Sequence, residues 1–375
     1  MPLQVKEITI EEHYQFLKTY ETFSFLQLPS WAEVKKGWRA KSIGWFDEKR
    51  IVSVGLVLSR NIPKTKLSLF YLPEGPVLNP DYAKEVLNWL APLKDYAQKN
   101  NAFALKIGPQ ITVATWQSST IKNSISDKKY KTITDVESDR INPYGVEIAK
   151  KLQQLGGKQG KSNVEGFGDV QPRFVFAIEV ANKTDEELLS SFSQEWRRNI
   201  KRAEKNLVTI KQVTFQDLNT FHQLYKETAQ RDKFTPRPLS YFQQMWKSLN
   251  ENSQGLCEMR LYIAEQENVV HAACLWVKVG KHVWYSYGAS STSGRELRPS
   301  NAIQWQMLKD ARDAGADLYD MRGISATLSE KSPLFGLLRF KIGTGGKVVQ
   351  YVGEWDFIFK SIVYRAYQFA LARRG

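Results

Sequence analysis

Residues Arg260–Ser290 read RLYIAEQENVVHAACLWVKVGKHVWYSYGAS, and the order of elements around them decides the architecture. β-branched and aromatic residues fill three runs, separated at Gln266-Glu267-Asn268 and Gly280-Lys281, residue types suited to tight turns. The pattern predicts a meander of three strands. NAIQWQMLKDARDAG follows with helical spacing and ends at Gly315, and ADLYDMRGI then returns to a strand. Before the meander, Thr184-Asp-Glu-Glu187 caps a predicted helix, DEELLSSFSQEWRRNIKRAEKN, and FQDLNTFHQLYKETAQR gives another.

The first half has the same order. Thr9-Ile-Glu-Glu12 is a capping box opening IEEHYQFLKTYE, and SWAEVKKGW reads as a second helix after Pro29. KSIGWF, IVSVGLVLSR and KLSLFYLPEGPVL are strand patterns, DYAKEVLNWLAPLKDYAQKN is a helix, and AFALKIG is a strand. Helices, a meander, a helix and a strand thus occur twice, which predicts two similar α+β units, as in an internal duplication. GKQGKSNVEGFGD is the most linker-like stretch, and VQPRFVFAIEV begins the second unit.

The totals narrow the function. The chain has 375 residues, with 53 Lys+Arg against 39 Asp+Glu, a formal charge of +14 that favours a polyanionic partner such as nucleic acid, nucleotide phosphates or an anionic membrane surface. Two cysteines, Cys257 and Cys274, and four histidines show no metal-ligand spacing. The N-terminus lacks a signal-peptide layout and no apolar run is long enough to span a bilayer, so the expectation is a cytoplasmic protein without metal or disulfide.

Two stretches carry candidate chemistry. In EWRRNIKRAEK, Arg197, Arg198, Lys201, Arg202 and Lys205 lie on one broad helix face, with Trp196 and Ile200 on an apolar edge. A charge run usually marks a solvated face, and that reading stands beside an RNA-phosphate partner that would relieve the mutual repulsion. The second stretch is GLLRFKIGTGGKVVQYVGEWD, Gly336–Asp356. It fails as a Walker loop because Lys341 stands where the first glycine is needed and Val348 where the hydroxyl is needed. We expect a glycine-rich turn between two extended segments. The junction SYGASSTSGRELRPSNAIQ likewise lacks the glycine spacing of an acyl-CoA pyrophosphate loop, which disfavours acyl-CoA as a donor.

With LPSWAEVKKGW, YLPEGPVL, VQPRFVFAIEV, WRRNIKRAEK, TPRPLSYFQQM, VWYSYGAS, LYDMRGI and LFGLLRFKIGTGGKVVQYVGEWD in this order, nearly the whole chain resembles the FemABX family of aminoacyl-tRNA-dependent transferases that build peptidoglycan bridges. The resemblance implies two acetyltransferase-like (GNAT-type) domains, 1–173 with 352–375 on the precursor side and 174–351 on the aminoacyl-tRNA side. It implies transfer of an amino acid from aminoacyl-tRNA to an amine of the precursor's stem peptide, without metal or cofactor. A monomer with peripheral contact to the inner membrane face is the further expectation.

Carried over by motif, Lys35 and Trp38 belong to the precursor's nucleotide or phosphate end. Arg237 and Tyr241 face the same diphosphate, and Tyr287 lines the acceptor channel. Phe340 and Lys341 are the pair at the aminoacyl-tRNA end, with Lys341 as a cation near the ester. Arg197, Arg198, Lys201, Arg202 and Lys205 are the tRNA-binding residues. Two departures stand out: LKIGPQ puts Gly108 where many relatives carry an acid, and no room is left after the basic helix for a coiled-coil arm. The rival readings are aminoacylation of a lipid, a protein N-terminus or a small metabolite, and a non-catalytic RNA-binding protein.

Overall fold

The computed structural model describes residues 3–127, 129–160 and 170–373. By contacts the chain divides into two compact units: 1–115 with 140–173 and 350–375, and 116–139 with 174–349. The expected boundary at 173 therefore needs correcting for 116–139. That segment is stitched to the second unit by Ile133 N–H to Ala326 O (2.8 Å) and Leu328 N–H to Lys131 O (2.9 Å).

In the first unit the strands run in the order Gln4–Glu7, Arg39–Asp47, Arg50–Asn61, Ser68–Leu72, Ala102–Ile107, Trp355–Ile358 and Lys158–Gln159. The pair Ser68–Leu72 and Ala102–Ile107 is parallel, so it needs a crossover, which the helix Val86–Lys99 supplies. That helix buries Trp89, Leu90 and Leu93 against Trp45, Phe70, Leu105, Trp355 and Phe357. The Trp45 indole N–H meets the Trp89 carbonyl at 2.8 Å, so the large ring is buried with its polar atom satisfied. The stretch expected as a linker begins as the short strand Lys158–Gln159 on Trp355–Asp356, while 161–169 lie outside the described residues. The helix expected over SWAEVKKGW spans only Trp31–Val34; Gly37, at φ +82°, turns the chain away.

The second unit repeats the plan. Its strands run Thr209–Val213, Glu258–Gln266, Val269–Val279, His282–Ser290, Leu318–Gly323, Phe174–Glu179 and Lys347–Tyr351. The parallel pair is His282–Ser290 with Leu318–Gly323, and its crossover is the helix Pro299–Asp313. Both predicted meander turns occur, with Glu267 and Asn268 at positive φ in the first and Gly280 in the second. Two other expectations change. The predicted 22-residue helix is two helices, Asp185–Ser191 and Gln194–Lys205, because Phe192 is extended and the Ser193 hydroxyl accepts the Trp196 N–H to cap the second. The segment before the glycine-rich turn is a helix, Phe335–Ile342, rather than extended; the segment after it, Lys347–Tyr351, is the expected strand.

Candidate functional site

A cavity of about 880 Å³ opens in the second unit where the strand His282–Ser290 meets the start of the helix Pro299–Asp313. A register shift falls in the strand that lines it. Trp276 pairs with Tyr285 but Leu275 pairs with Tyr287, so Ser286 is an extra residue. The two tyrosines consequently face opposite sides of the sheet. Tyr285 lines the cavity with Cys274, and burial pushes both groups up, the Cys274 thiol to about 12. Gln304 reaches Cys274 Sγ at 4.0 Å while its Oε1 accepts the Tyr319 hydroxyl at 2.8 Å.

The rim is cationic. Arg231, Lys233, Arg295 and Arg298 line the cavity against one acid, Asp232, which Arg231 already holds at 3.0 Å. Arg298 is in the left-handed region (φ 61°) directly before Pro299, and its Nε is buried without a hydrogen-bond partner. The first amides of a 15-residue helix follow it, with the positive end of the helix dipole. Arg298, Asn301, Gly336 and Phe340 also line a second hollow of about 310 Å³, bounded by Trp196 and Asn199 of the basic helix. Such an arrangement suits an extended anionic ligand with an apolar or aromatic part.

Phe340 stands at both hollows. Its ring lies 4.7 Å from that of Trp196, whose indole N–H donates to the Phe340 carbonyl at 2.8 Å. Lys341, expected as a cation at the ester, is not on the wall. It is 3% exposed, and its Nζ donates to the carbonyls of Gly323 (2.7 Å) and Arg322 (3.3 Å) at the end of the strand Leu318–Gly323. Burial lowers its pKa to about 7, opposed by Asp320 and helped by Arg322. A helical register explains the correction: neighbours on a helix point about 100° apart, so Phe340 and Lys341 cannot share one direction.

Arg237, Tyr241 and Tyr287 do come together. The guanidinium of Arg237 lies 5.1 Å from the Tyr241 ring, and the Tyr287 hydroxyl donates to that of Tyr241 at 3.2 Å. Tyr287 packs on Phe242 and Tyr225, on the face of its strand opposite Tyr285. It therefore does not line the cavity. Lys35 and Trp38 belong to the first unit, where Lys35 sits 5.3 Å from the Trp31 ring and Trp38 lies beside Tyr71 and Arg60.

Gly108 lies against an acid from elsewhere in the chain. A Cβ on Gly108 would stand 3.0 Å from Cγ of Glu354, a buried carboxylate that accepts the Tyr71 hydroxyl at 2.6 Å. Burial, and then Glu354, pushes the Tyr71 phenol well above its usual range. Lys106 joins the cluster, 2.9 Å from Asp356 and 3.9 Å from Glu354. On the basic helix all five cations, Arg197, Arg198, Lys201, Arg202 and Lys205, are exposed, while Trp196, Ile200 and Ala203 are buried. The helix stops at Asn206 and the strand Thr209–Val213 follows at once, leaving no arm.

A family model, described as the FemAB family, matches residues 8–256 and 247–371. The chain belongs to the FemAB family. Among its relatives is the lipid II:glycine glycyltransferase of Staphylococcus aureus, 27% identical over an alignment that covers 97% of this chain and 94% of that protein. The crystal structure of FemX superposes with a TM-score of 0.76 at 26% identity, covering 97% of this chain and 99% of that one. A tandem GNAT protein from the clavulanic acid pathway shares the fold at 9% identity (TM-score 0.54), covering 95% of this chain and 98% of that one. The FemAB chain is thus a duplicated acetyltransferase-like fold, with its cationic cavity in the second unit.

Sequence reasoning missed most of that cavity. Arg295 and Arg298 sit in the very junction whose glycine spacing argued against acyl-CoA, and Arg231 and Lys233 lie at the C-terminal end of the helix Leu218–Asp232. A signal was present in LRPSN: an arginine before a proline at a helix start. Among the described residues, no group of three or more His, Cys, Asp or Glu could hold a metal ion.

Proposed function

We propose that this FemAB protein is an aminoacyltransferase, moving an amino acid from aminoacyl-tRNA to an amine on the stem peptide of a peptidoglycan precursor, nucleotide-linked or lipid-linked. The carrying observation is the cavity itself: Arg231, Lys233, Arg295 and Arg298 around a helix N-terminus, with Phe340 on the wall. That combination suits the phosphates and the stacked base of a charged tRNA 3′ end, and the exposed cations of Gln194–Lys205 extend the cationic track. The relative named for glycyl transfer to lipid II supports peptidoglycan bridge chemistry.

In the reaction the neutral acceptor amine attacks the ester carbonyl. The C–N bond forms, the C–O bond to the terminal ribose breaks, and one proton passes from the nitrogen to the ribose oxygen. An activated ester needs mainly positioning. Phe340 is placed to orient the aminoacyl end, and Lys341, bound to the carbonyls of Arg322 and Gly323, fixes the floor beneath it. Arg237, Tyr241, Tyr287, Lys35 and Trp38 are assigned to the precursor. The test supplies purified protein with labelled aminoacyl-tRNA and precursor. Arg298→Ala should raise the apparent KM for aminoacyl-tRNA about ten- to hundredfold, as expected for a lost charge-assisted contact. Label appearing in lipid or protein but not in precursor would overturn the acceptor, and an unchanged KM would remove the cavity from the tRNA site.

A further inference from the structure

The C-terminal helix, Ser361–Ala372, is set on the first unit by one face. Val363, Tyr364 and Tyr367 pack with Trp38, Ile62 and Leu67 on a small cluster of Leu69, Phe103 and Ala104. Tyr367 lies 5.3 Å from Phe103, and the Tyr364 hydroxyl donates to Asp356 at 2.9 Å. The opposite face is apolar yet uncovered: Ile362 is 84% exposed and Phe369 59%. At 100° per residue these two fall within about 20° of each other, with Arg365 and Arg373 close on either side. The Arg373 guanidinium sits 4.1 Å from the Phe369 ring. No acidic residue occurs from Ser361 to Arg373.

The neighbouring turn has the same character. Ile62 and Leu67 share the cluster beneath the helix, and between them Lys64 and Lys66 are exposed in the acid-free stretch RNIPKTKL. Apolar side chains flanked by cations, on a short helix and an adjoining turn, are the composition of a surface that sinks into the headgroup layer while its cations meet anionic lipid. A soluble partner of this chemistry would need an acidic rim around an apolar groove; an anionic bilayer offers both without shape matching.

We propose that the exposed face of Ser361–Ala372, with the Lys64–Lys66 turn, docks this protein on the surface of an anionic lipid bilayer. This rests on the function proposed above only in taking the acceptor as lipid-linked. Trp38, assigned to that acceptor, packs in the cluster that the helix covers, so docking would hold Trp38 near headgroup level.

The experiment measures sedimentation of the full chain with vesicles of phosphatidylcholine, with and without phosphatidylglycerol. Wild type should bind the anionic vesicles, and salt should weaken binding. An Ile362→Glu, Phe369→Glu double variant should lose about tenfold or more in partitioning. Arg365→Glu with Arg373→Glu should abolish the preference for anionic lipid. Circular dichroism confirms folding, which such exposed sites should not disturb. Equal binding of wild type and both variants would overturn the proposal, as would a wild-type dimer that the Ile362/Phe369 variant converts to monomer, since a second copy would then own the face. Transfer assays separate this from the reaction: the double variant should keep activity on a nucleotide-linked acceptor and lose it on vesicle-borne acceptor. Vesicle binding with no transfer to either acceptor would sink the proposed reaction and leave the docking surface standing.

Discussion

Lys341 shows how one residue can change meaning between chain and fold. In sequence it is a cation before a glycine-rich turn; in the structure its amine is buried, bound to two carbonyls. With a folded pKa near 7 against an ordinary 10.5, folding releases a proton between those two pH values. Stability should therefore rise as pH climbs through that window, by at most roughly 1.4 kcal/mol per pH unit. Lys341→Met should lack this slope in urea denaturation followed from neutral to alkaline pH; parallel curves would mean that the folded chain keeps the proton. The same variant should hold precursor normally yet slow single-turnover transfer, by up to about 10²-fold if Phe340 shifts by an ångström. Lys347→Met is the control, since Lys347 pairs with Glu179 on the sheet. Phe340, singled out in the sequence, does line the cavity. The direction of Lys341 was not legible, because LLRFKIG also fits an extended run. Tyr285 escaped notice for a similar reason: strict alternation puts it on the same face as Tyr287, and only the bulge at Ser286 separates them.

At the scale of elements the reading from sequence fares best where turn chemistry is local. The meander turns, the capping boxes at Thr9 and Thr184, and the helix stop at Gly315 all involve residues a few positions apart. The break between Asp185–Ser191 and Gln194–Lys205 was hidden because its cause is partly remote: the Ser193 N–H donates to Gly343 O at 2.8 Å, from the glycine-rich turn. That break gives the basic helix its own N-terminus beside Phe340. Changing Arg198, Lys201 and Arg202 together to glutamate should weaken tRNA binding and flatten the plot of log affinity against log salt by roughly two to three. Filter binding across several salt concentrations measures this. An unchanged slope would return the five cations to an ordinary solvated face.

For the whole molecule, duplication was visible as a repeated order of elements, whereas the return of 352–375 to the first unit was an expectation from the family resemblance alone. Trp355–Ile358 lies between Ala102–Ile107 and Lys158–Gln159, and it adds Trp355 and Phe357 to the core. Deleting 350–375 should therefore unfold the first unit, lowering or erasing one thermal transition while leaving the second unit's protected fragment in limited proteolysis. A truncated chain that melts like the full one would contradict the role given to this strand.

That strand also sets the order in which the protein can be made. The last strand of the second unit's sheet ends at Tyr351, before Trp355–Ile358 of the first unit has been made. The first unit begins earlier and finishes later. Ala102–Ile107 must keep one edge open until all of Phe174–Val349 has been translated, an interval of roughly 10–50 s at ~5–20 residues per second. During that time the N-terminal half presents an unpaired strand edge to its surroundings, the condition in which chains pair wrongly with one another. The N-terminal domain of this protein is therefore the last to become a domain.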